Sequence, residues 1–78
     1  MSLDSLEERL SELKELYEED LIAEAHYDAK KRELVTCVDI KATGLRRFLK
    51  ELLRLHEEED LLSEDDLAIA RKWALTAL

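Results

Sequence analysis

No proline and a single glycine, Gly44, occur in the 78 residues of this chain. The tight turns of all-β folds draw on those two residue types, so strands joined by short turns are excluded as the main architecture. Glycine-rich phosphate loops are excluded with them, since Gly44 stands alone. The chain is instead rich in leucine, 17 of 78 residues, set among Glu, Lys, Arg and Ala. These are strong helix formers, and the expectation is an all-α fold.

The spacing of apolar residues predicts four helices. Leu3, Leu6, Leu10, Leu13 and Tyr17 recur at steps of three and four, the a and d positions of a heptad seam. Leu16 and Leu21 widen that stripe. Ser5 followed by Glu8 reads as a capping box, which predicts a first helix over about residues 4–19, with residues 1–4 frayed. A second helix is predicted from Glu24 to at least Leu34, with Ile22 and Tyr27 as its hydrophobic staple and Ala23 at the N-cap. The β-branched Val35, Thr36, Val38 and Ile40 weaken its end, and residues 36–43 are read as a connector. A third helix is predicted over about Leu45–Glu58, capped by Thr43 or, with an earlier start, by Asp39. Its stripe of Leu45, Phe48, Leu49, Leu52, Leu53 and Leu55 is wide enough for a core touched from two sides. The fourth helix has the clearest start. Ser63 is its N-cap, three acids follow, and Leu62 and Leu67 form the staple. Leu67, Ala70, Trp73, Ala74 and Leu78 mark its buried face. The expected arrangement is a single domain over residues 1–78, a small bundle of two helical hairpins at about 4–35 and 44–78.

The two hairpins share a pattern at their turns. Asp20-Leu21-Ile22-Ala23-Glu24 matches Asp60-Leu61-Leu62-Ser63-Glu64, and Tyr27 then matches Leu67, with one residue of slack before the Asp. The first hairpin, residues 13–34, also resembles a SHOCT (short C-terminal) domain. Leu13, Leu16, Leu21, Ile22, Glu24, Tyr27, Lys31 and Leu34 carry the resemblance. Asp20 stands where that family has its turn glycine, and Ala23 where it has an N-cap threonine. The resemblance implies a small oligomerisation or protein-contact module without catalysis.

Charge is laid down in blocks. Residues 1–29 carry a net −8, residues 30–55 a net +5 and residues 56–78 a net −5. Part of this pattern is expected to pair within the fold. Arg46 and Arg47, however, open the third predicted helix, and Glu57, Glu58 and Glu59 close it. Both placements oppose the helix dipole by a few tenths of a kcal/mol per charge. Lys50 and Arg54 continue from Arg46 at four-residue steps, which places the three on one basic face.

Signatures of catalysis and metal binding are missing. Neither His26 nor His56 has a Glu three residues before it, so the motif of di-iron bundles is lacking. His56, Glu59 and Asp60 share a helix face but read as a solvated acidic helix end. Cys37 reads as a small buried hydrophobe. One cysteine excludes an intramolecular disulfide framework and a multi-cysteine zinc site. No apolar run approaches the roughly 20 residues of a membrane span, and no secretory leader is visible, so a cytoplasmic protein is expected.

The leading functional expectation is a non-enzymatic protein-interaction or self-association module that needs no cofactor or metal. Its partner is another protein or a second copy. Contact residues are expected to be the basic Arg46, Arg47, Lys50 and Arg54 with the apolar Leu3, Leu6, Leu10, Tyr17 and Trp73. Trp and Tyr are frequent interface anchors. A second reading is an acidic, antitoxin-like inhibitor that covers a basic partner through Glu57, Glu58, Glu59 and Asp60 and the acids of the first helix. A third is a helix-turn-helix DNA-binding domain, disfavoured because the acidic blocks would repel a polyanion.

Overall fold

Helix α1 (Leu3–Glu18) begins earlier than the Ser5 signal suggests, because Ser2 is its N-cap. The Ser5 amide donates to Ser2 Oγ at 3.3 Å, which satisfies one of the orphan donors at the helix start. The computed structural model describes residues 2–77. Leu78, expected on the buried face of the last helix, lies outside the described residues. The other elements are α2 (Glu24–Thr36), α3 (Ile40–Thr43), α4 (Leu45–Glu57) and α5 (Glu64–Leu75). The fold is all-α, four helices of substantial length with one short turn of helix between α2 and α4.

That short turn replaces part of the predicted connector. Asp39 Oδ1 accepts hydrogen bonds from the amides of Lys41 and Ala42 at 3.1 and 3.3 Å, so it caps α3. Thr43 therefore ends α3 rather than opening α4. Gly44 separates the two, with φ 93° and ψ 131°. A side chain is strained in that region of backbone space. Beyond Gly44 and its two chain neighbours, no heavy atom lies within 4 Å of where a Cβ at Gly44 would stand, so the backbone strain is what opposes an added methyl. Gly44→Ala is expected to lower stability by about 1–3 kcal/mol, read as a lower urea midpoint at unchanged slope.

The two long turns use the same device. After α1, the Asp20 amide donates to Tyr17 O at 3.1 Å and the Leu21 amide to Leu16 O at 3.0 Å. This is the paired bonding of a Schellman cap, and Asp20 takes the left-handed conformation, φ 59°, that glycine usually fills. After α4, Asp60 does the same at φ 52°. The extra residue there widens the closing bond, so that the Leu61 amide reaches Leu55 O. Ser63 and Asp66 then form a full capping box at the start of α5.

One apolar core draws on every element. Leu6, Phe48, Leu52, Leu55 and Ala74 are wholly inaccessible to solvent, with Leu10, Leu62, Val35 and Val38 close behind. Tyr17 of α1 stacks on Tyr27 of α2, ring centroids 4.5 Å apart and planes 6° from parallel. The Trp73 ring meets Phe48 edge-on at 5.9 Å. Lys14 lies 3.8 Å from Asp60, which seats the α4–α5 turn against the later turns of α1. At the other end, Arg47 shares a surface hollow with Leu3 and Asp4. Helices α1 and α4 therefore run in the same direction.

Three expectations are corrected by this packing. Leu3, Leu6 and Leu10 are not on a free seam: α1 turns them into the domain's own core, where each is less than a tenth exposed. The wide stripe of α4 meets helices on two sides, α1 and α5, as expected, but not all of it is covered. Phe48, Leu52 and Leu55 are buried, while Leu53 on the flank is exposed. Cys37 is exposed rather than buried. It is the C-cap of α2, and Val35 and Val38 take the inward positions around it.

Candidate protein-interaction site

Pairing inside the fold absorbs much of the basic block. Lys31 on α2 is the most enclosed base among the described residues, its side chain 6% exposed against 4% for Asp66 on α5, with Nζ and Oδ2 2.6 Å apart. Asp28 lies 3.3 Å from the same ammonium, and the Tyr27 ring centroid 4.3 Å from it. Asp66 also accepts from the Ser63 amide at 3.2 Å and faces Arg32 Nε at 3.6 Å. Burial raises the cost of ionising Asp66, but the bonds from Lys31 and Ser63 outweigh it and hold the carboxyl below its ordinary range. Burial likewise opposes charge on Lys31, and Asp66 overrides it, so that pKa is raised. Burial raises the Tyr27 phenol as well.

Arg54 is similarly committed. Its guanidinium reaches Glu7 Oε2 on α1 at 2.8 Å, Glu59 Oε1 beyond α4 at 3.2 Å, and Glu51 on its own helix. The hydrogen bonds it donates to Glu51 and Glu7 hold it firmly protonated. Arg54 is therefore paired within the chain and does not stand with Arg46 and Lys50 on one open basic face. Each four-residue step along a helix rotates a side chain by about 40°. Two steps from Arg46 carry Arg54 round towards α1.

Arg46, Arg47 and Lys50 remain. Among the described residues, no ion pair involves any of them, and all three are exposed. They border a hollow of about 610 Å³ over the first turns of α4, floored by Leu45. Lys50 also borders a second groove of about 270 Å³ between α4 and α5, lined by Leu49, Leu53, Leu75 and Arg71. Leu53 is 38% and Leu75 54% exposed. The basic triad thus adjoins an uncovered apolar surface. Arg71, Leu53 and Leu75 went unnoticed as surface residues in the sequence. The available signal was the excess width of the α4 stripe, which its neighbours leave uncovered at Leu53.

Tyr17 and Trp73 do not join this face. Each is half-buried and held by an aromatic neighbour of the same chain. His56 Nδ1 donates to Leu62 O at 2.8 Å. Among the described residues no group of three His, Cys, Asp or Glu is placed to hold a metal ion. No helix of the described residues is long and apolar enough to cross a membrane.

The fold and this face define a small all-α module with a cationic, leucine-bearing groove. No family model, curated protein or solved structure matches the chain.

Proposed function

We propose that this chain is a non-catalytic protein-interaction module of the cytoplasm, whose working surface is the α4–α5 face. Its partner is an acidic segment that presents leucine-like side chains. The observation that carries this reading is the set of cations without an internal partner beside exposed leucines, in a chain of net charge −8. Charge complementarity at such a rim steers encounter and fixes register, while the apolar floor holds the complex. Arg46 and Arg47 also occupy the first turn of α4 at some cost to the helix, which fits charges kept for an outside partner. The SHOCT-like pattern of residues 13–34 is compatible with a contact module. The acidic-inhibitor reading has less support, since Glu59 and Asp60 already hold Arg54 and Lys14.

The test is to replace Arg46, Arg47 and Lys50 together by Glu. These side chains are exposed and outside the ion pairs, and acids suit a helix start. The thermal midpoint is therefore expected to hold or rise slightly. Binding of a labelled helical peptide of alternating Glu and Leu turns, followed by fluorescence anisotropy at low salt, is expected to weaken by at least about tenfold. Unchanged binding by the triple variant would refute the reading.

A further inference from the structure

We infer that the groove between α4 and α5 receives the acidic α1–α2 turn of a second copy of this chain, so that copies join head to tail. The inference rests on the reading of that face as an interaction site, and names its occupant.

The turn has the chemistry the groove lacks. Glu18, Glu19, Asp20 and Glu24 surround Leu21 and Ile22, with no base among residues 18–24. Among the described residues none of these four acids is in an ion pair. Leu21 is 66% exposed, more than any other large hydrophobic residue described. Its counterpart in the second turn, Leu61, is 6% exposed. The fold thus buries this position once and leaves it bare the other time. The bare one is also held in shape. The two backbone bonds of the Schellman cap fix Asp20 and Leu21, so docking orders little further chain. The recipient groove offers Leu53 and Leu75 as floor with Lys50 and Arg71 at the rim.

Position decides between one molecule and two. Helices α1 and α4 run in the same direction, and α5 returns beside α4. The Leu21 tip therefore lies beyond the end of α1, whereas Leu75 lies back towards the start of α4, in a molecule 38 Å long. The two patches lie towards opposite ends of one chain. They also differ, so the contact is heterologous, and repetition extends it into open chains unless the rotation closes a ring.

Sedimentation equilibrium of the full chain tests this. At about 20 mM salt the weight-average mass is expected to climb past twice 9.1 kDa as protein rises from about 10 to about 500 μM, and to fall back at about 300 mM salt. Leu21→Ser and Lys50→Glu, both at exposed positions, should each weaken association by at least about tenfold with an unchanged thermal midpoint. The decisive sample is an equimolar mixture of the two variants. One keeps an intact groove and the other an intact tip, so together they should form a 1:1 pair and nothing larger. A wild-type chain that stays at 9.1 kDa throughout, or variants that fail to pair, would overturn the second copy as occupant. If that same chain still bound the Glu-Leu peptide, the reading of the groove as an interaction site would stand, and a chain that bound neither would lose both.

Discussion

Asp66→Ala should destabilise the domain by about 3–5 kcal/mol, the cost of removing one partner from a buried ion pair. A domain of this length has a total stability of roughly 4–12 kcal/mol, so the loss should remove a large part of it. The effect exceeds that of a lost helix cap, typically about 1 kcal/mol, because Asp66 has two roles. It closes the capping box with Ser63 and neutralises Lys31, tying α5 to α2. Without it the Lys31 ammonium remains enclosed, facing only Asp28 and the Tyr27 ring. Lys31→Met should cost less, because Asp66 keeps the Ser63 amide and Arg32 while methionine fills the space of the lysine stem. Urea unfolding followed by circular dichroism measures both. A Lys31→Met variant at least as unstable as Asp66→Ala would show that the carboxylate is not the critical partner.

The same pair gives stability a pH signature with a definite sign. The Asp66 carboxyl is held below its ordinary value of 3.8. Its contribution is present above that value and disappears as pH falls through the lower folded-state value. The Lys31 pKa is raised above 10.5. Its contribution is present below 10.5 and disappears as pH rises through the higher folded-state value. The pair therefore stabilises the fold across the neutral range and fails at both extremes. The gap in stability between wild type and Asp66→Ala should be widest near pH 7 and narrow below about pH 4.

Periodicity made the long helices legible, because an amphipathic helix repeats its apolar residues whatever it packs against. The cap at Ser63 was equally plain, since Ser followed by three acids has a local physical meaning. What covers an apolar face is not local. The steps from Leu3 to Leu13 fit a dimer seam and a domain core equally well, and only the placement of α2 and α4 against α1 decides for the core. Lys31 and Asp66 lie 35 positions apart in the sequence, so nothing near Lys31 marks it as buried. The four-residue rule grouped Arg46, Lys50 and Arg54, but the small rotation at each step sent Arg54 to Glu7. The groove escaped notice because Leu53 and Leu75 look like core leucines until the helices are packed.

Leu10→Ala separates the core role of the α1 seam from an interface role. Leu10 is 1% exposed, and truncating such a leucine typically costs about 2–5 kcal/mol through lost burial and the cavity left behind. If the seam works only inside the domain, the drop in urea midpoint is the same at low and high protein concentration. A two-chain coiled coil would instead make that drop change with concentration, because the substitution would then weaken association as well as folding. Leu53→Ala is expected to do the reverse. Leu53 is exposed and contributes little to the core, so the midpoint should move by less than about 1 kcal/mol, while binding of the Glu-Leu peptide weakens. The two leucines look alike in the sequence, and their opposite effects would follow from one difference, that Leu10 faces the core and Leu53 the solvent.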